Sequence, residues 1–308
     1  MKHRAEEKGF ALVAVLWISI ILASMVLSAA YIARLELRKA NFPLREMQAL
    51  ALASGGIEVV KAELLSDDNK YDYLSEKWKK NPDAYENVKI GESVLNVSVD
   101  DEESRLNINI SPRAILENFD PVKLMPNAQE ALDSVSDWQD ADSNSALCGA
   151  EEEYYQHIDN PIHCKNGPLD CIDELNLIRG FNDESFRELP SKTMSVFSSG
   201  KVNINTAPVE VLQALPLFDS KLALQIVAHR AGPDSLEGTE DDQPFTSSAE
   251  VVEFLGNEVF KAAGQHIVFC SIRFRVRSTA VVGRISRTVE AMLERTGAEI
   301  KIRYWREL

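Results

Sequence analysis

The sequence predicts an α+β protein in which a long N-terminal helix packs on an antiparallel sheet and a large all-α insertion interrupts that sheet. Three observations support this fold class: an uncharged apolar segment near the N-terminus, helical periodicity that continues beyond it, and strand patterns on both sides of a central helical block. The predicted parts are a leader (1–9), a transmembrane helix (10–33), a first helix-and-strand part (34–110), an inserted α-domain (111–256) and C-terminal strands (257–308).

The first predicted element is a membrane-spanning helix. The segment from Phe10 to Ala33 has no charged side chain and follows a mostly charged stretch, MKHRAEEKG. A helix needs about 20 apolar residues to cross the hydrocarbon core of a bilayer. The alternative is a signal peptide cleaved near Ser28–Ala30, but its apolar core would span only about 7–15 residues. Because the helical pattern continues past that point, an uncut anchor is favoured.

The same helix is predicted to continue through 34–65. Pro43 predicts a kink, because proline removes a helix hydrogen bond. Gly55 and Gly56 weaken the helix locally and allow close packing against a neighbouring element. The apolar positions are Leu35, Leu44, Met47, Ala51, Ile57, Val60 and Leu64.

Strand patterns of period two occur at 94–99, 105–110 and 269–277. The first two are separated by the acidic turn DDEES and predict a hairpin. The third alternates apolar side chains with arginines, which favours a sheet with one solvated face over a nucleic-acid-binding stripe.

An internal repeat occupies the centre of the chain. RLNINISPRAIL (105–116) matches KVNINTAPVEVL (201–212), and PLDCIDELNLIRG (168–180) matches PFTSSAEVVEFLG (244–256). Two ordered matches predict two related helical modules, each entered from an N-I-N strand. The first copy carries extra residues between its halves.

The second copy resembles a helix-hairpin-helix over 202–230. DNA-binding versions of that motif use a glycine-rich hairpin, which brings backbone N–H groups to a phosphate. Here the hairpin is LPLFDS, which has no glycine and adds Asp219. The net charge of −15 also disfavours phosphate binding. The motif is therefore interpreted as a packing unit.

Two kinds of residue point to cross-links or ions. The cysteines, behind a membrane anchor, predict disulfides of undetermined connectivity, with zinc as the weaker alternative because no C-x₂-C pair is present. The acidic loop DWQDADSNSALCGAEEEYY offers oxygen ligands suited to calcium, although it lacks the spacing of an EF-hand. A solvated acidic loop is the alternative, and a second acidic run at 234–242 is a weaker candidate. The cysteines are Cys148, Cys164, Cys171 and Cys270, and the loop aspartates are Asp137, Asp140 and Asp142.

Catalysis has little support in the sequence. His157 and His163 lie near Cys164, but no serine or cysteine occurs in a recognisable nucleophile frame. We therefore expect a protein without enzymatic activity, in preference to a calcium-dependent periplasmic hydrolase.

The N-terminus resembles the prepilin leader of type IV pilins and type II secretion pseudopilins. The residues that carry this resemblance are the charged leader, Gly9, and Phe10 at the start of the apolar run. The resemblance implies cleavage between Gly9 and Phe10 by prepilin peptidase, followed by N-methylation of Phe10. Most members carry glutamate at the fifth mature position, where this chain has Ala14, and that departure is associated with the K-type minor pseudopilin.

The whole chain resembles that K type: leader, anchor, strands, N-I-N modules, insertion and returning strands. The resemblance implies a pilin-like fold with a large α-domain that binds a structural calcium ion near a D-W-x-D-x-D…G-A-E-x-x-Y pattern. Carried over to this sequence, the ligands are Asp137, Asp140, Asp142 and Glu151, and not the neighbouring Glu152.

The function implied is structural. A K-type protein is a single-pass protein of the bacterial inner membrane with its globular domain in the periplasm. It caps the tip of the type II secretion pseudopilus and helps initiate its assembly for protein export across the outer membrane. The implied partners are the I- and J-type minor pseudopilins, prepilin peptidase, the inner-membrane assembly platform and the membrane, with no nucleic acid. The alternative is a membrane-anchored DNA-uptake protein that uses its helix-hairpin-helix.

Overall fold

The structure is a computed structural model that describes residues 3–181, 190–297 and 299–308. Residues 1 and 2 of the predicted leader lie outside the described residues. The helices are α1 (His3–Ser66), α2 (Pro82–Tyr85), α3 (Arg113–Asn118), α4 (Asp120–Lys123), α5 (Ala128–Gln139), α6 (Glu152–Gln156), α7 (Pro190–Thr193), α8 (Val209–Leu212), α9 (Ser220–Arg230), α10 (Ser248–Leu255) and α11 (Asn257–Ala263). The strands are β1 (Val88–Ile90), β2 (Ser93–Asp101), β3 (Leu106–Asn107), β4 (Met194–Ser195), β5 (Val202–Asn203), β6 (Ile267–Val268), β7 (Arg273–Val282), β8 (Ile285–Thr296) and β9 (Glu299–Glu307). Short 3₁₀ helices cover Glu102–Ser104, Ile172–Leu177 and Gly264–His266.

Helix α1 runs without a break through Pro43 and has two different halves. From Leu12 onward it is long and apolar enough to cross a membrane, and none of its most apolar window is buried. Among the side chains of α1 that the structure describes, burial begins at Ala49, and Leu44 and Met47 are exposed although they follow the apolar pattern. Beyond that point the core-facing side chains are Ala49, Ala53, Ile57, Val60 and Leu64.

The five-stranded sheet has the order β1-β2-β7-β8-β9, and all its pairings are antiparallel. The predicted hairpin between 94–99 and 105–110 is wrong, because β2 pairs with β1 and β7 instead. Asp101, the last residue of β2, accepts a hydrogen bond from Glu103 N at 2.8 Å and caps the 3₁₀ turn that carries the chain out of the sheet. Leu106–Asn107 therefore pairs in the insertion.

A large insertion separates β2 from β7, although the two strands are neighbours in the sheet. It has its own hydrophobic core, distinct from the core between α1 and the sheet. It is not purely α-helical as predicted, because β3 pairs with β4 and β5 pairs with β6, both in parallel. In each module, the strand of the N-I-N segment at the start pairs with a short strand at the end of the same module.

The sequence repeat corresponds to this pattern of parallel pairs. Each N-I-N strand, β3 or β5, is followed by a helix, α3 or α8, whose first residue comes directly after a proline. Pro112 and Pro208 occupy these capping positions. Each module thus begins and ends on a parallel strand pair and holds helices between them.

In the second module, α8 and α9 are joined by a turn that contains Leu217 in a left-handed conformation (φ 62°). Asp219 caps α9 by accepting a hydrogen bond from Leu222 N at 2.7 Å. A carboxylate at this position occupies the helix N–H groups that an anion would otherwise use.

The arginines of β7 lie on the polar face of the sheet, as predicted. Their partners are carboxylates: Arg273 pairs with Glu294, Arg275 with Glu102 and Arg277 with Glu290. The alternating pattern therefore corresponds to ion pairs across and beside the sheet.

The structure does not support the disulfide prediction. All four cysteines, each of them among the described residues, are free: Cys148, Cys164, Cys171 and Cys270. Cys171 and Cys270 are exposed, and the thiol of Cys164 lies 3.8 Å from the backbone oxygen of Asp137.

Candidate metal centre

Three of the four predicted calcium ligands come together at one end of α5. Asp137 lies in its last turn, Asp140 follows it directly, and Glu151 precedes α6. These carboxylates place ligating oxygens within 4.8 Å of one another. Asp137 and Glu151 are buried, and Asp140 is exposed. Two helix ends therefore hold three acidic side chains around one point.

Asp142, the fourth predicted ligand, lies outside this group. It is exposed, and its Oδ1 accepts a hydrogen bond from Asn144 N at 2.7 Å. Glu152, which the sequence pattern left out, also lies outside it. Its carboxylate accepts hydrogen bonds from Cys164 N at 2.7 Å and from the ring of His163.

The loop between α5 and α6 folds around the carboxylate of Asp137. Ala146 N donates to Asp137 Oδ1 at 3.0 Å and to Oδ2 at 3.1 Å, and Ser145 Oγ donates to Oδ2 at 3.4 Å. Gly149 allows this approach, because a Cβ at that position would lie 1.9 Å from Asp137 Oδ2. This loop conformation around the Asp137 carboxylate therefore requires glycine at position 149.

Arg179 holds the second half of the loop against α5. Its guanidinium donates to Glu130 Oε2 at 2.6 Å and to Gly149 O at 3.3 Å, and it lies 4.8 Å from the centre of the Tyr154 ring. Sequence reasoning missed Arg179, because its partners are far from it along the chain and no local pattern indicates them.

The electrostatics of the group favour a cation. Burial, followed by the charges of Asp137 and Asp140, raises the pKa of Glu151 above its usual value, although the N–H of Glu152 lowers it. Glu151 Oε1 is buried without a hydrogen-bond partner among the described residues. An ion would provide the missing partner and offset the repulsion among the three carboxylates.

The donor set fits calcium. All three side chains offer carboxylate oxygens, and calcium takes six to eight oxygen ligands in flexible geometry. A cavity of about 670 Å³ beside the group is lined by 143–145 and 149–154, which leaves space for water ligands.

The second acidic run, 234–242, is differently arranged. Its carboxylates accept backbone hydrogen bonds within the loop: Asp234 N donates to Asp241 Oδ2 at 3.0 Å, and Gly238 N donates to Asp242 Oδ2 at 2.9 Å. Within the described part of the chain, this run does not bring three ligating side chains to one point.

Comparisons with known proteins agree with the sequence prediction. Residues 114–194, from α3 to β4 and including the candidate centre, match the family described as type II secretion system (T2SS), protein K. No curated protein matches the chain in sequence. The fold is similar to a chain in the crystal structure of the GspK-GspI-GspJ complex from the enterotoxigenic Escherichia coli type 2 secretion system, with a TM-score of 0.69 and 18% sequence identity. That match covers 88% of this chain and 99% of the other. Residues 114–194 are thus similar to the type II secretion system protein K family, and most of the chain shares the fold of that solved structure.

Proposed function

We propose that this protein is the minor pseudopilin that caps the tip of the type II secretion pseudopilus and helps initiate its assembly. The observation that carries the proposal is the insertion between Asp101 and Arg273, a second unit with its own core beside the helix and sheet. A subunit widened in this way would obstruct stacking within a thin helical fibre. The end of the fibre is the position without that constraint.

The N-terminal half of α1 is the proposed membrane anchor and packing helix. Its large apolar side chains between Phe10 and Met47 are exposed. Prepilin peptidase would cut between Gly9 and Phe10 and methylate Phe10, leaving the globular part in the periplasm. Ala14 fits a leading subunit: if the family's glutamate pairs with the N-terminal amine of the preceding subunit, the first subunit has no such amine to pair with.

The proposed partners are the I- and J-type minor pseudopilins and the inner-membrane assembly platform. The similar solved structure is a complex of GspK with GspI and GspJ, which supports this choice. The role is structural, and no catalytic step is assigned to the chain.

We further propose that Asp137, Asp140 and Glu151 bind a calcium ion, with Asp142 nearby on the same loop. The ion would supply one positive centre shared by both helix ends. It would fix the start of α6 relative to the end of α5 and so stiffen this region of the insertion.

Processing tests the function directly. We expect the protein extracted from membranes to begin at Phe10 and to carry a methyl group on its amine, as read by N-terminal mass spectrometry. A chain that begins at Met1 or at Tyr31 contradicts the pseudopilin assignment.

The tip position needs a separate test. The full-length chain is expected to co-purify from membranes with I- and J-type pseudopilins, and a gold label on it should mark one end of assembled fibres. Gold label along the length of the fibres would contradict a position at the tip.

Calcium binding is tested on the full-length chain in detergent. At a calcium concentration about 100 times the Kd, we expect a rise in melting temperature of about 5–10 °C. Asp140→Ala should make the rise clearly smaller, whereas Glu153→Gln, an exposed neighbour outside the group, should retain it in full. Equal responses in the two variants would remove Asp140 from the ligand set.

A further inference from the structure

A second group of carboxylates lies where α1 meets the sheet. The loop after α1 brings Asp67, Asp72 and Glu76 together, with ligating oxygens within 4.8 Å of one another. The group is independent of the centre around Asp137, since it belongs to the helix-and-sheet part of the chain rather than to the insertion.

The charges in this group do not balance. Arg295 of β8 donates to Asp67 Oδ2 at 2.8 Å and also donates to Asp72. It is the one cationic side chain ion-paired to these three carboxylates within the described residues. Glu76 accepts only from neutral donors, among them Trp78 Nε1 at 2.6 Å. Three carboxylates and one guanidinium leave a formal charge of −2, which a divalent cation would neutralise.

Asp72 supplies a second, independent observation. Its side chain is completely buried (0% exposed), and Oδ2 accepts a hydrogen bond from Ser271 N at 2.5 Å. Oδ1 of the same carboxylate has no hydrogen-bond partner among the described residues. This carboxylate is the one that lies close to those of Asp67 and Glu76. A buried acceptor without a partner is costly, so this oxygen is available to a ligand.

The site is also accessible from solvent, and its three side-chain ligands are all carboxylate oxygens. A cavity of about 270 Å³ is lined by Asp67 and Glu76 together with Ser66. Calcium accepts several carboxylates and waters in irregular geometry, whereas magnesium requires a nearly ideal octahedron. Three carboxylates from one irregular loop, next to a solvent-accessible cavity, match calcium better.

We propose that Asp67, Asp72 and Glu76 form a calcium site at the junction of α1 and the sheet. The ion would fix the loop after α1 against β8, which Arg295 already contacts. Asp72 O also accepts a hydrogen bond from Asn203 Nδ2 at 3.1 Å, so the same loop reaches the second N-I-N segment of the insertion. A calcium ion at this site would therefore link α1, the sheet and the insertion.

The test uses the full-length chain in detergent and calcium alone as the probe. The first centre is removed by the double substitution Asp137→Asn and Glu151→Gln, and bound calcium is measured by equilibrium dialysis. We expect about one ion per chain to remain bound in this background. Adding Asp72→Asn or Glu76→Gln should abolish it, whereas Asp68→Asn, an exposed neighbour outside the group, should keep it.

Each other outcome overturns the proposal. If the background variant binds no calcium, the site does not exist. If binding survives both Asp72→Asn and Glu76→Gln, the ion lies elsewhere, and a proton on Asp72 Oδ1 then explains the unpartnered oxygen. Should Asp72→Asn fail to fold, Glu76→Gln decides alone, because it keeps an acceptor oxygen for Trp78, and its fold is checked by circular dichroism without calcium.

Discussion

The side chain of Asn109 exchanges two hydrogen bonds with the backbone of Leu169: Nδ2 donates to Leu169 O at 3.0 Å, and Oδ1 accepts from Leu169 N at 2.9 Å. Asn205 and Phe245 repeat this exchange at 2.9 Å and 2.8 Å. The two asparagines occupy the same position in the repeated N-I-N segments, and Leu169 and Phe245 each follow the proline that opens the second half of a repeat. The sequence repeat therefore preserves a contact: each entry strand holds the later segment of its own module.

The first prediction concerns this contact in the second module. Asn205→Ala removes both hydrogen bonds and leaves the backbone groups of the buried Phe245 unpaired. Because each such group costs about 1–3 kcal/mol and two are left unpaired, we expect the free energy of unfolding to fall by about 2–6 kcal/mol. Asn109→Ala should cost less, since Asn109 is half-buried and water can replace it in part. Denaturant unfolding of the full-length chain measures both, and Asn160→Ala, at an exposed site, should change little. A loss for Asn205→Ala no larger than that of Asn160→Ala would contradict the assigned role.

The second prediction uses a matched pair of glycines near the candidate centre. A Cβ at Gly149 would lie 1.9 Å from Asp137 Oδ2, whereas a Cβ at Gly167 would meet only Lys165 O at 3.9 Å. Gly149→Ala must therefore displace the Asp137 carboxylate, and we expect calcium affinity to fall at least about tenfold, equivalent to about 1.4 kcal/mol. Gly167→Ala should leave the affinity unchanged. Calorimetric titration of the full-length chain gives both values, and equal affinities would show that the loop conformation around the Asp137 carboxylate does not form the site.

Glu103 carries the third prediction, which concerns pH. It is completely buried in the 3₁₀ turn after β2 and accepts hydrogen bonds from Ser199 N at 3.1 Å and Arg273 N at 3.0 Å. Burial, and then the charge of Asp101, raises its pKa from 4.5 to about 7. The folded state thus binds this proton more tightly than the unfolded state does.

The free energy of unfolding therefore decreases as the pH rises. The stabilisation from protonated Glu103 is complete below about pH 4.5 and is lost as the pH rises through about 7. Between these limits the group lowers the free energy of unfolding by at most about 1.4 kcal/mol per pH unit. Melting temperatures of the full-length chain across this range should fall less steeply in Glu103→Gln than in the native chain. The exposed control Glu153→Gln should keep the native slope, and an unchanged slope in Glu103→Gln would exclude Glu103 as the titrating group.

Local patterns predicted the features that depend on local chemistry. The apolar run of α1, the repeat and the acidic loop are each encoded in adjacent residues, and the loop brings Asp137, Asp140 and Glu151 together because two helix ends flank it. Asp142 falls outside the group because its carboxylate forms a local turn with Asn144 N.

Features that depend on distant contacts were not predictable in this way. Alternation at 105–110 indicated a strand but not its partner, and the cap on the turn after Asp101 directs that segment into the insertion. The contacts of Arg179 with Glu130 and of Arg295 with Asp67 join side chains that the fold brings together from far along the chain. A single sequence contains no periodicity that marks such contacts.

The last prediction tests how α1 meets the sheet, where two adjacent glycines have different surroundings. A Cβ at Gly56 would lie 2.2 Å from Ser278 Oγ and 2.9 Å from Val97 Cγ2, whereas at Gly55 it would meet nothing within 4 Å. Gly56→Ala should therefore lower the free energy of unfolding by about 1–3 kcal/mol through overpacking against the sheet. Gly55→Ala should instead raise it by up to about 1 kcal/mol, because alanine favours the helix. The two variants differ by one position and carry the same added methyl group. Opposite shifts in melting temperature would thus locate the contact at Gly56, and shifts of the same sign would contradict the close approach of the helix to Ser278.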